Sequence, residues 1–272
     1  MKKNSKKSVV RRISKKEIYA RFGIEYRKGK ILAPLYGWIN PLLINGNAKL
    51  GKGVFTFSTL PGNMEYSVDI DGTIYTVKGT CLCNCVGCYA QTGFYRMPSV
   101  LKSLAIKTIL CRKYPEFVKN AIIAQIKAEN IKLCRIHAAG DFYGPEYIAI
   151  WQDIVKACDG CAFWSYTKNP AAETAFDAFK NCNIVKSILP GFGFNFGHCD
   201  YILMVYRALR DMGKPVYICR CGIDKNQHCV NCHGCAKNEF VLFIEHSTAY
   251  KAEDDPAFSE LAAIIENQAK PE

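Results

Sequence analysis

The chain has 272 residues, 49% hydrophobic and 22% charged, which is enough apolar material for one sizeable core. No run of eighteen apolar residues occurs and the lysine-rich start leads into no hydrophobic leader, so a membrane-spanning helix and export are not expected and the chain reads as cytoplasmic. The net charge of +12 is uneven, because residues 1–30 carry twelve lysines or arginines against Glu17 and Glu25.

Residues 1–30 are accordingly expected to be a solvated, poorly ordered basic arm, a candidate contact for nucleic-acid phosphates, ahead of one folded domain over 31–272. The β-branched and aromatic runs 54–60 and 73–79 read as strands, with Asp71-Gly72 as a turn before the second. From Pro98 to Asn130 the apolar spacing is helical, and Pro115 divides it into two helices. Strand and helix patterns then alternate: strand 131–138, helix 145–158, strand 161–167, helix 171–181, strand 183–189, helix 201–213, strands 215–219 and 239–246, and a closing helix from Pro256. Such alternation implies a parallel sheet, open or closed into a barrel, with chemistry at the carboxyl ends of the strands.

Fifteen cysteines without an export signal point to metal ligands or catalysts rather than disulfides. Cys111, Cys134, Cys158, Cys161, Cys182 and Cys199 are scattered among apolar residues, where a thiol acts as a small buried hydrophobe. The other nine form two dense groups. In the first, Cys81, Cys85 and Cys88 have C-x3-C-x2-C spacing, with Cys83 between them. Three thiolates in one loop each bind one iron of a cubane cluster and leave the fourth iron open; the alternative is a zinc site. In the second, Cys229, Cys232 and Cys235 form a C-x2-C-x2-C run, with Cys219 and Cys221 as candidates for a fourth ligand. An auxiliary iron–sulfur cluster and a structural zinc site both suit this loop, His228 and His233 being further donors.

The spacing of Cys81, Cys85 and Cys88 resembles the signature loop of the radical S-adenosylmethionine superfamily. That resemblance implies a partial (βα)6 barrel of TIM type, here with a cysteine-rich metal-binding loop inserted at 219–235. It implies a 4Fe-4S cluster on Cys81, Cys85 and Cys88 whose open iron chelates S-adenosylmethionine, with electron transfer cleaving it to a 5′-deoxyadenosyl radical. An electron donor of flavodoxin or ferredoxin type and a substrate, here unknown, go with that chemistry. The run Arg135 to Asp141 is similar to the family's second-strand motif, so Ala139, Gly140 and Asp141 would hold the cofactor's amino group. Two features depart from the pattern: Gly87 stands where the family often has an aromatic residue, and Cys83 offers a competing ligand.

The combination of CYA, RIHAAGDFYGPEYIAIW, FWSYTK and a late cysteine cluster also resembles the phage and plasmid gene-product-88 family, over roughly residues 54–246. It implies a phage or mobile-element origin and no particular reaction. Lys168 and His137 are the candidate catalytic residues, the plainer alternatives being a polar turn and a core histidine. The loop 191–197, GFGFNFG, reads as a flexible aromatic loop or an adenine-stacking wall. A radical enzyme is thus set against a metal-stabilised nucleic-acid-binding protein and a degenerate barrel that keeps its clusters for electron transfer or sensing.

Overall fold

A computed structural model describes residues 13–46, 50–83, 85, 88–189, 191, 193–224, 226–245 and 250–268 of the chain. Its centre is a run of four parallel strands: Val54–Thr56 beside Leu133–Arg135, then Ala162–Thr167, then Cys182–Lys186. Ile44–Asn45 adds an antiparallel strand at the outer edge. Pairing continues past the first strand's end, where Phe57 N donates to Arg135 O, Ala138 N to Phe57 O and Thr59 N to Ala139 O. Because side chains alternate along a strand, Phe57, Cys134, Phe163 and Ile184 fall on one face and join the main core with Trp151, Ile122 and Phe142. Val54, Leu133, Trp164 and Val185 fall on the other, against Cys219, Cys235 and Val241.

The helices that cover the first face start where the sequence places prolines. Pro98–Lys113, Pro115–Glu129 and Pro145–Ala157 each carry proline in the first turn, where its missing N–H removes no helical bond. The break at Pro115 makes two helices, as the pattern requires.

A second, smaller unit follows. Phe240–Ile244 lies between Phe196–Gly197 and Val216–Ile218, parallel to both, and packs with Cys199–Asp211 and Phe258–Gln268 around its own core. It also lies beside Cys182–Lys186. At that seam Asn195 Nδ2 donates to Lys186 O and to Val241 O, both at 3.0 Å, and Lys186 pairs with Glu239 at 3.1 Å. The later strand therefore sits inside and the earlier Val216–Ile218 outside, so the strands do not follow chain order here. Among the described residues no sheet closes into a barrel.

Two sequence expectations are corrected. Thr73–Lys78 is a strand, but it pairs antiparallel with Glu65–Ile70 in a separate hairpin. Asp71 and Gly72, at φ 50° and 81°, form the left-handed turn that a two-residue hairpin loop needs. Thr80 N then bonds Leu60 O at 2.9 Å, returning the chain to the end of the Val54–Thr56 strand just before Cys81. Residues 15–30 are also folded rather than part of an arm. Ser14 and Glu17 form a capping box on helix Lys15–Arg21, whose Tyr19 is fully buried and stacked on Tyr26. Ile24 and Ile31 join the same core, and residues 1–12 lie outside the described part.

Candidate functional site

Both cysteine groups face the side of the parallel sheet that lacks the long helices. Along Ala162–Thr167 and beyond, Trp164, Tyr166 and Lys168 alternate onto that face. Trp164 lines the second cysteine group while Lys168 reaches the first, four residues or about 13 Å further up.

At the upper level Cys81 Sγ accepts from Gly62 N at 3.1 Å, and burial, with Asp141, Cys88 and Cys85 nearby, pushes its thiol up to about 12. The sulfurs of Cys83 and Cys85 lie 3.8 Å apart, and burial pushes the Cys83 thiol up as well. Lys168 Nζ donates to Cys85 Sγ at 3.1 Å and stands 5.3 Å from the Phe194 ring centroid. The structure thus brings Lys168, Cys85 and the aromatic loop together, and sets Cys83 beside them. Asn84, Val86 and Gly87 fall outside the described residues.

The segment Ala139 to Asp141 is close by, but its polar groups are engaged within the chain. Gly140 has φ 86°, and a Cβ there would stand 2.0 Å from Thr59 Oγ1 and 2.7 Å from Thr80 Oγ1, two hydroxyls bonded to each other at 2.8 Å. Its close approach is made to the chain's own threonines. Asp141 Oδ1 accepts from Thr167 Oγ1 at 2.6 Å and Phe142 N at 2.7 Å, and Oδ2 from Lys168 N at 2.9 Å. Burial nonetheless holds this carboxyl above its ordinary value. Asp141 therefore ties two strand ends together and leaves little acceptor capacity for a cofactor's ammonium.

His137 belongs to the core and is withdrawn as a catalytic candidate. It is 3% exposed, its Nε2 pairs with Tyr147 Oη at 2.9 Å, and Phe142, Phe57 and Trp151 surround the ring. Burial, with Arg135 nearby, depresses its pKa to about 3, so the imidazole is neutral.

At the lower level Cys219, Cys221, Cys229, Cys232 and Cys235 line one cavity of about 10 Å³, together with Leu133 and Trp164. Cys221 Sγ donates to Gln227 O at 3.3 Å, and the neighbouring Cys221 side chain, with burial, raises the thiols of Cys219 and Cys229 above the ordinary value. Burial pushes Cys235 up to about 11, with the Tyr166 side chain and Arg135 pulling the other way. Cys232 Sγ instead meets Tyr217 Oη at 2.9 Å. Asn183 Nδ2 fastens the loop to the sheet by donating to Cys235 O and Asn238 O, both at 2.8 Å. Among the described residues, no three His, Cys, Asp or Glu side chains stand as a ready-made ligand set for a metal ion. The donors at both levels are soft thiols, and their chemistry suits iron–sulfur or zinc.

Residues 41–188 match the family described as Gene product 88. The chain belongs to the gene product 88 family. The match takes in the four parallel strands, the first cysteine group, Asp141 and Lys168, and ends before the second cysteine group. Two family relatives bear the name Gene 88 protein. The one from Mycobacterium phage D29 is 30% identical over 105 residues, covering 34% of this chain and 42% of its own length. The one from Mycobacterium phage L5 is 36% identical over 61 residues, covering 22% of this chain and 24% of its own. This gene product 88 chain thus spans less than half the length of either relative. No solved structure matches it. No helix among the described residues is long and apolar enough to cross a membrane.

Three contributors in this gene product 88 chain escaped the sequence reading. Arg135 lies between the two levels: its Nη2 donates to Tyr89 Oη at 3.3 Å and its guanidinium sits 5.0 Å from the Tyr166 centroid. Tyr89, next to Cys88, donates to Ala138 O. Thr80, next to Cys81, accepts from Asp141 N at 3.0 Å. Arg135 and Tyr89 lay inside the motifs already singled out, and Thr80 lay directly before one, yet only the tertiary fold shows which partner each meets.

Proposed function

We propose that this phage-family protein is an iron–sulfur enzyme of the radical S-adenosylmethionine type, built on an open, partial (βα)6 barrel. The observation that supports the reading is the position of Cys81 beside the segment that continues the first parallel strand, where Thr80 N bonds Leu60 O and Gly62 N bonds Cys81 Sγ, with Lys168 reaching Cys85 from the end of the third strand. When bound, a 4Fe-4S cluster with one iron free of cysteine supplies a site for S-adenosylmethionine and the electron that cleaves it. The chain's own part is positional. The Thr59–Thr80 hydrogen bond and the Asp141 N to Thr80 contact anchor the base of the cysteine loop to the first and second strands. Lys168, held at its backbone by Asp141, places an ammonium beside Cys85 to receive a carboxylate. Phe194 and Phe196, both exposed, offer ring faces to an adenine.

The engaged state of Gly140 and Asp141 favours a second reading, in which the cluster serves electron transfer or sensing and S-adenosylmethionine is not bound. One experiment separates the two. Protein purified without oxygen is analysed for iron and sulfide, reduced with dithionite and incubated with S-adenosylmethionine. The enzyme reading expects about four irons on the first group, release of 5′-deoxyadenosine, and loss of both in Cys85→Ser with the cluster spectrum kept in Cys83→Ser. A full, reducible cluster that neither binds nor cleaves S-adenosylmethionine leaves the electron-transfer reading. Zinc alone on the first group refutes both.

A further inference from the structure

We propose that Cys83 and Cys85 are a reversible thiol–disulfide pair, closed by a small anionic disulfide such as oxidised glutathione that docks on Lys168. The function proposed above uses three of the four thiols in the first group and leaves Cys83 without a part. The Cys83 and Cys85 sulfurs lie 3.8 Å apart, so a closure of less than about 2 Å brings them to bonding distance. One residue separates the two cysteines, which keeps their Cα atoms within about 7 Å of each other, the range a disulfide spans. The other two are anchored to different segments. Cys81 Sγ accepts from Gly62 N at 3.1 Å, and Cys88 is fixed through Tyr89, whose hydroxyl donates to Ala138 O.

Lys168 supplies the recognition of the oxidant. Its Nζ stands 3.1 Å from Cys85 Sγ and 5.3 Å from the Phe194 ring centroid, and its backbone N is held by Asp141 Oδ2 at 2.9 Å. The run 80–98 around the cysteines holds Arg96 and no acidic residue, so an anionic disulfide is drawn first to the sulfur of Cys85. Cys85 attacks it, forming a mixed disulfide and expelling one small thiol. Cys83 then attacks the Cys85 sulfur, forming the protein disulfide and expelling the second. Two protein thiols are oxidised, the small disulfide is reduced to two thiols, and the two thiol protons pass to those leaving groups. A bridge across a single residue is strained, and excess thiol reduces it readily. On the cluster reading, bridge and cluster compete for Cys85, so Cys83 guards that sulfur from irreversible oxidation while no iron holds it. The pairing itself does not depend on that reading.

The test uses the full chain, stripped of iron by a chelator under reductant and then exposed without oxygen to oxidised glutathione, so its outcome is separate from that of the cluster chemistry. Remaining thiols are blocked with iodoacetamide, and the bridge is reduced and labelled with N-ethylmaleimide. The peptide 79–96, which trypsin releases with all four cysteines, is then sequenced by mass spectrometry. The second label is expected on Cys83 and Cys85, and the first on Cys81 and Cys88. In Cys83→Ser, Cys85 should stop at its glutathione adduct. In Lys168→Met, bridge formation should slow by about tenfold with oxidised glutathione and not with the cationic disulfide cystamine. A bridge that uses Cys81 or Cys88, or a first group that stays reduced, overturns the pairing. Equal slowing with both disulfides overturns the docking on Lys168. Wild-type labelling decides the pairing even where a variant fails to fold.

Discussion

Acidification to pH 5 is expected to destabilise the main core through His137. The neutral imidazole is buried among Phe57, Phe142, Tyr147 and Trp151, with its pKa near 3 against an ordinary 6.5. Below pH 6.5 the unfolded chain takes up a proton that the folded chain refuses, so stability falls as pH falls and the loss is complete near pH 3. At 1.36 kcal/mol per pH unit, the step from pH 7 to pH 5 costs about 2 kcal/mol, or roughly a thirtyfold change in the folded-to-unfolded ratio. The comparison is with His137→Asn, because φ at this position is 57° and asparagine tolerates that left-handed backbone. Urea unfolding is followed by tryptophan fluorescence, to which Trp151, its ring centroid 6.1 Å from that of His137, contributes beside Trp38 and Trp164. The variant starts less stable at pH 7, and the wild type then loses about 2 kcal/mol more than the variant on going to pH 5. Parallel losses in the two proteins would refute the assignment of a neutral buried imidazole.

Gly140→Ala is expected to cost about 2–3 kcal/mol, combining left-handed strain with a broken Thr59–Thr80 hydrogen bond. Gly144→Ala, with extended backbone and nothing near its Cβ, should cost less than about 1 kcal/mol; equal urea midpoints for the two variants count against the close-approach argument. Deleting residues 1–12 removes six lysines or arginines and should leave the melting temperature unchanged, while any duplex binding loses up to about 5 from its log–log salt slope. Deleting 1–21 also removes buried Tyr19 and should cost about 3 kcal/mol or more. A truncation at 12 that melts like the truncation at 21 would place the folded boundary earlier than Ser14.

The βα alternation was legible because periodicity reports which face of an element is buried: the strands at 133, 162, 216 and 240 lie within the runs read from sequence, and the one at 182 starts one residue before its run. What stayed hidden was partnership. Thr73–Lys78 has strand composition whether it joins the main sheet or a hairpin, and only Glu65–Ile70, too polar to stand out, decides between them. Strand order was hidden for the same reason, since nothing local to 216–218 or 240–244 says which borders Lys186. In the candidate site the cysteines announced themselves by density, but their roles did not. Cys232 looks like a ligand by spacing and is turned to Tyr217, while Asp141 looks like a cofactor contact and is taken up by Thr167, Phe142 and Lys168.

The seam between the two sheet units is bridged by side-chain amides, Asn195 reaching Lys186 and Val241 and Asn183 reaching Cys235 and Asn238. Each unit has its own core, one around Trp151 and Ile122 and one around Ile202 and Leu242. The boundary also carries the Lys186–Glu239 pair and an apolar cluster of Trp164, Val185 and Val241 that is smaller than the main core, so amide exchange at the seam should report a lower opening free energy than exchange around Trp151. The second cysteine group is stitched across that boundary, with Cys219 following a strand of one unit and Cys235 packed on a strand of the other. A loop fastened in this way couples the two units, so loss of the Asn183 contacts would be felt first as lost cooperativity rather than as lost secondary structure.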